Sequence, residues 1–202
     1  MTTIKFITLE VADPTAANRF YTGALGLGTQ VRVRASEAPT TGFRGYTLSL
    51  IVSQPADANG LIDAARDAGA TVLKPAEKSL WGYGGVIQAP DGTILTVASS
   101  AKKDTGPATR RIDDLVLQLG ASDVAASKKF YLDRGLVVAK SFGRRYVEFD
   151  TGPVKLTLNK RRALAKTAVV APDGTGSHRI VFGGDTQPFT DPDGFAWEAA
   201  SS

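Results

Sequence analysis

The 202-residue chain contains no cysteine, which excludes a disulfide framework, a thiolate metal site and a cysteine nucleophile. Histidine occurs once, so a metal centre would have to be built from oxygen ligands and at most one imidazole. Nowhere does an apolar run approach the roughly 18 residues that a membrane-spanning helix requires. The opening stretch MTTIKFITLEVAD has no basic segment followed by a long apolar one, so a cytoplasmic protein without a membrane partner is the expectation. A dense basic stripe with interleaved aromatics is also missing, and with it the usual sequence signal for nucleic-acid binding. Charge is nevertheless uneven. Residues 1–100 carry 8 basic and 8 acidic groups, residues 101–202 carry 16 and 12, and the net +4 lies wholly in the second half. Arg144, Arg145, Lys160, Arg161 and Arg162 supply much of it; such clusters either keep a surface solvated or hold an anion.

What is present is a repeat. FITLEVADPTAANRFYTGALGL and LVLQLGASDVAASKKFYLDRGL share apolar alternation, an acidic turn, a short helix with Phe-Tyr, and a Gly-Leu step. Ile7, Leu9 and Val11, and again Leu115, Leu117 and Leu119, alternate as in half-buried strands. Asp13 and Asp123 are placed to cap the helices that follow, and Phe20 and Phe130 read as core anchors. YTLSLIVS reads as a buried strand, and DANGLIDAARDAGA as a helix with Leu61, Ile62 and Ala65 on one face. The endings repeat as well: QAPDGTILTVASS closes the first half and TDPDGFAWEAASS the second, each with a Pro-Asp-Gly turn suited to a hairpin. Residues 101–110, AKKDTGPATR, have linker composition. The expected division is therefore 1–100, a linker at 101–110, and 111–202.

Val11-Ala12-Asp13, Phe20-Tyr21 and Gly26-Leu27, then Phe130-Tyr131, Gly135-Leu136 and Asp191-Pro192-Asp193-Gly194, resemble in their order the vicinal oxygen chelate superfamily of glyoxalases, bleomycin-resistance proteins and extradiol dioxygenases. The resemblance covers nearly the whole chain. It implies an α+β fold of two tandem glyoxalase-like domains built from βαβββ modules, with curved mixed sheets flanked by helices and the second domain shortened. The modules could pair within the chain, or a homodimer could complete the clefts. Metal-dependent members place ligands on the opening strand, on the strand beginning the second module of a pair, and on the strand after the last turn. In the first half those places hold Phe6, Thr47 and Thr96, which implies no metal there. In the second half they hold Asp114, with Asp113 or Val116 as alternatives, His178 and Glu198, a set that could take a divalent metal. For a small organic ligand, Trp81, Tyr83, Phe142 and Tyr146 are candidate aromatic lining, and Arg144 and Arg145 candidate anion contacts. The glycine-rich SLWGYGG, residues 79–85, lacks the Lys-Ser/Thr ending of a phosphate loop. Two functions stand at this point. One is a small-molecule binder, which the empty first-half positions favour; the other is a metal-dependent lyase, isomerase or dioxygenase that uses the second half.

Overall fold

The computed structural model describes residues 2–200. Its elements form four modules in chain order. The first holds β1 (Ile4–Val11), α1 (Pro14–Asn18), which continues through one π-helical stretch (Arg19–Ala24), and β2 (Val31–Ala35); a short strand β3 (Thr41–Gly42) follows. The second holds β4 (Tyr46–Ile51), α2 (Pro55–Asp67), β5 (Thr71–Ser79), β6 (Gly82–Gln88) and β7 (Ile94–Ser99). The third repeats that plan as β8 (Asp114–Ala121), α3 (Val124–Leu132), β9 (Val137–Phe142), β10 (Tyr146–Asp150) and β11 (Val154–Lys160). After α4 (Arg161–Thr167) and β12 (Gly174–Thr175), the fourth module holds only β13 (Ile180–Gly184), β14 (Phe189–Thr190) and β15 (Ala196–Ala199), without a helix between β13 and β14. Among the described residues no helix is long and apolar enough to cross a membrane.

The local signals act as their chemistry dictates. Asp13 Oδ1 accepts from the Ala16 N–H and Asp123 Oδ1 from the Ala125 and Ala126 N–H groups, so each acid caps the helix after an opening strand. Both Pro-Asp-Gly turns are hairpins, β6 into β7 and β14 into β15, with Gly92 and Gly194 at φ +90° and +91° where only glycine sits without strain. Leu61, Ile62 and Ala65 are buried on α2 and Phe20 on the π-helical stretch after α1, whereas Phe130 is half-buried beneath the Arg134 guanidinium, 3.4 Å from its ring centroid.

The two sheets do not follow the expected division at residues 101–110. The eight-stranded sheet runs β5-β6-β7-β4-β8-β11-β10-β9 and the five-stranded sheet β14-β15-β13-β1-β2, so both contain strands from either side of residues 101–110. The two complete modules pair with each other through β4 and β8, and the two truncated ones through β1 and β13. The physical reason is matching: β4 and β8 present alternating leucines in register, Leu48 opposite Leu117 and Leu50 opposite Leu115. Residues 101–110 form no helix or strand. They lie against the start of α2, where Gln54 Oε1 accepts from the Thr105 and Gly106 N–H groups and Asp57 Oδ1 from that of Thr109.

One hydrophobic core serves both sheets. Ile7, Leu9, Phe182 and Trp197 of the smaller sheet join Leu48, Leu117 and Leu156 of the larger, with Phe20, Leu61 and Tyr131 from the helices. Two buried tyrosines stitch the sheets together. Tyr21 donates to Asp91 Oδ1 at 2.7 Å, and Tyr131 to Asp191 Oδ2 at 2.8 Å, so the Tyr of each Phe-Tyr pair reaches the Pro-Asp-Gly hairpin of its own half across the sheet boundary. Asp191 Oδ1 also accepts from the Asp193 and Phe195 N–H groups. Even so, burial pushes the Asp191 carboxyl up to about 6.

That shift sets a pH dependence. The folded protein holds the Asp191 proton more tightly than the unfolded chain does, so the stability linked to this group is fully present below the ordinary carboxylate range and is lost as pH rises through about 6. Asp191→Asn keeps the Oδ1 acceptor and turns an amide toward Tyr131. Its unfolding free energy should improve relative to the native chain by about 2 kcal/mol between pH 4 and 7. Urea titrations across that range check it, and parallel profiles would refute it.

Candidate functional site

The eight-stranded sheet buries one face in the core and turns the other outward, and strand alternation sorts the side chains between them. Leu48, Leu50, Leu95, Val97, Leu117, Leu119, Leu156 and Leu158 point inward, leaving Thr47, Ser49, Thr96, Gln118 and Thr157 on the opposite face. These polar groups satisfy one another. Thr96 Oγ1 donates to Ser49 Oγ at 2.8 Å, and Thr47 Oγ1 donates to Gln118 Oε1 at 2.9 Å. The Gln118 amide nitrogen makes no hydrogen bond among the described residues and remains a free donor.

α4 crosses this face. Leu164, Ala165 and Ala168 pack on Phe43, Val86 and Ile94 in a second, smaller apolar cluster. Arg161 anchors the start of the helix, donating to the carbonyls of Phe43, Pro172 and Gly174. Beside α4 lies a hollow of about 290 Å³, with Ser49, Thr96, Gly84 and Gln118 in its lining, Thr167 at the α4 side and Trp81 at the β5–β6 turn.

Register explains why the hollow lies on only one side of the sheet. The helix caps Gln54 and Asp123 each follow Ser49 and Gln118 by five residues, so Ser49 and Gln118 are equivalent, as are their strand partners Thr96 and Thr157. Carried one strand further, the equivalence matches the pair Gly84 and Ala98 with the pair Tyr146 and Asn159. Small residues leave space in the second module where a phenol and an amide fill it in the third. Gly84 is also required by the backbone, because a Cβ there would lie 2.4 Å from the Val97 carbonyl oxygen.

The expected ligand contacts divide into two groups. Trp81 stands at the hollow and is 85% exposed. Tyr83 borders the hollow only through its main chain: its side chain alternates to the other face, where the hydroxyl donates to Asn59 Oδ1 at 2.8 Å. Phe142, Arg144, Arg145 and Tyr146 belong to the β9–β10 hairpin at the far edge of the sheet, so they do not line the hollow with Trp81. There Tyr146 donates to Glu148 Oε2 at 3.0 Å, and burial, followed by that bond, pushes its phenol up to about 12. Ser49, Gln118, Gly84 and Thr167 were missed by reading the sequence. For Ser49 and Gln118 the signal lay in YTLSLIVS and DLVLQLGA, where polar residues stand between inward-facing leucines.

The expected metal set is not assembled. Asp114 begins β8 in the larger sheet and pairs with Lys155 at 2.8 Å. Glu198 lies on β15 in the smaller sheet, 2.9 Å from Arg34, which also holds Glu10 at 2.8 Å. His178 is exposed in a 3-10 turn, Ser177–Arg179, before β13. Pairing across the halves puts the two acids on different sheets and gives each a cation. Among the described residues, no group of three His, Asp or Glu side chains could hold a metal ion. Ser49, Thr96, Gln118 and Thr157, at the centre of the larger sheet, offer only hydroxyls and an amide, a donor set that does not fit a transition-metal ion. The corresponding face of the smaller sheet is closed: the Phe6 ring occupies the space beside Gly183, where a Cβ would lie 2.3 Å from it, and Arg32 covers that ring at 3.4 Å.

No family model and no curated protein matches the sequence. Solved structures do. A proposed dioxygenase of Bacillus subtilis superposes with a TM-score of 0.61 at 13% identity, covering 98% of this chain and 84% of that one. Glyoxalase I from Zea mays superposes with a TM-score of 0.60 at 13% identity, covering 98% and 91%. The chain therefore has a glyoxalase-like fold, shared with these two structures.

Gly84→Ala should destabilise the protein by about 1–3 kcal/mol, because the added methyl meets backbone that is itself held in a strand ladder. Chemical unfolding checks this; a change under about 0.5 kcal/mol would show that β6 and β7 can separate without cost.

Proposed function

We propose that this protein binds a small, flat organic ligand in the hollow beneath Trp81, and that it does so through stacking and neutral hydrogen bonds. One observation carries the reading: an indole 85% exposed stands at the mouth of a hollow floored by the neutral polar groups of Ser49, Thr96 and Gln118, with the mutually paired Lys74 and Glu77 in its wall. Leaving so large an apolar ring in water forgoes burial that folding would otherwise exploit, and a planar ligand would recover it. The volume, about 290 Å³, lies at the lower end of the range for ligand sites. Within it the Gln118 amide nitrogen offers a donor, and Ser49 and Thr96 offer hydroxyl lone pairs. Thr47 fixes the Gln118 amide by donating to its oxygen, so the free N–H group is held in one orientation.

The metal-dependent alternative would need ionised or imidazole ligands at the sheet centre, and Ser49, Thr96, Gln118 and Thr157 are neither. Native mass spectrometry for a co-purified organic ligand, followed by titration of that ligand into the stripped protein, tests the reading. Trp81→Ala should weaken binding about 5-fold or more. Ala98→Leu, which fills the hollow with one apolar side chain, should abolish it while the protein remains folded. Unchanged affinity in both variants, or stoichiometric metal in elemental analysis, would overturn the proposal.

A further inference from the structure

Residues 140–166 hold eight basic and two acidic groups, a net of +6 where the whole chain carries +4. Three of the cations are engaged: Lys155 by Asp114, Arg161 by backbone carbonyls, and Lys140 over the Phe142 ring, opposite Glu148. The remaining five, Arg144, Arg145, Lys160, Arg162 and Lys166, are exposed and make no ion pair or side-chain hydrogen bond among the described residues. The fold gathers them. Tyr146 pairs with Asn159, so the β9–β10 turn carrying Arg144 and Arg145 lies at the same end of the sheet as Lys160. α4 begins at the next residue and crosses β8, with Arg162 and Lys166 four apart on its exposed side. From β9 to β4 the stripe spans about four strand spacings, ~19 Å.

Two aromatic rings accompany it. Phe142 is 56% exposed, and its centroid lies 6.0 Å from that of Tyr146 on the same face. Glu148 is the acid beside these rings, and the Tyr146 hydroxyl donates to it. We propose that this end of the eight-stranded sheet is a docking surface for single-stranded nucleic acid, with the phosphates along the cationic stripe and bases stacked on Phe142 and Tyr146. Charge complementarity selects a polyanion. Neighbouring rings on a sheet face, Phe142 exposed and Tyr146 half-buried, select unpaired bases, which offer π-faces that a duplex keeps stacked. A membrane surface fits less well, since among the described residues Phe142 is the one large apolar side chain exposed at the β9–β10 turn. Sequence composition argued against a nucleic-acid partner for want of a stripe; the stripe exists only once the turn and α4 are brought to one edge.

The proposal stands apart from the Trp81 hollow, and one experiment separates them. Fluorescence anisotropy of a labelled oligothymidylate should show binding whose log K falls against log salt with a slope of about −3, between about 50 and 200 mM salt. Replacing Arg144 and Arg145 by Ser, or Arg162 and Lys166 by Gln, should weaken binding at least about 5-fold and flatten the slope by about 1.4. Phe142→Ala should weaken it with the slope unchanged, and Trp81→Ala should leave it intact. Thermal unfolding of the charge variants should match the native protein, because the altered side chains have no partners. No binding at about 50 mM salt, native affinity in both charge variants, or binding of phosphatidylserine vesicles without the oligonucleotide would overturn it.

Discussion

The ladder between β4 and β8, from Tyr46 opposite Leu119 to Ile51 opposite Asp114, is the interaction on which the rest of the molecule depends. It joins the two complete modules into one eight-stranded sheet, and it brings Thr47 against Gln118 at the centre of the outward face. With β4 and β8 committed to each other, the truncated modules are left to pair through β1 and β13. The smaller sheet then covers the helices and closes a single core around Phe20, Leu61 and Tyr131. A site astride the β4–β8 ladder belongs to neither half of the chain. It exists because the halves exchange strands.

The repeated motifs gain a physical meaning from this exchange. Phe-Tyr and Pro-Asp-Gly recur together because the tyrosine of one module bonds the hairpin of the next, and that hairpin stands in the other sheet. In the first half the acceptor is the turn acid itself, Asp91, which also takes the Thr93 hydroxyl at 2.6 Å. In the second half the acceptor moves two residues back to Asp191, while Asp193 receives Ser122 and Ser127 from the start of α3. A buried carboxyl that meets every donor in reach still resists ionisation when no cation is paired with it. The contrast between Thr96 and Glu198, each five residues past its turn acid, has the same origin. Thr96 faces the open side of the larger sheet and bonds Ser49, whereas Glu198 lies in the smaller sheet and holds Arg34.

The outward face of the larger sheet is symmetric in backbone and asymmetric in side chains. Gly84 and Ala98 leave a hollow where Tyr146 and Asn159 leave none, and α4 narrows the opening further. The third module, whose own floor is filled, presents its aromatic and cationic groups at the rim instead. Duplicated modules have thus been given two different surfaces on one sheet. The difference rests on a few residues whose size and charge vary while their register does not.

Much of the fold was legible in the sequence because it rests on local chemistry: period-two leucines, acids before helices, and Pro-Asp-Gly turns each act over a few residues. The repeated modules followed from those signals, and the α+β class and the shortened second half from the family resemblance that their order carries. Trp81 was legible as well, since a large ring in a glycine-rich turn is conspicuous. Pairing across residues 101–110 was not, because strand partners are chosen by long-range register and burial, which no short window contains. For the same reason Tyr83 turned to the helix side, Asp114 and Glu198 separated onto different sheets, and Ser49 came to face Thr96. Composition determined that this chain has no thiolate chemistry and carries a basic second half; only the tertiary structure decided which of those charges stand together, because adjacency in space is set by strand order rather than by sequence distance.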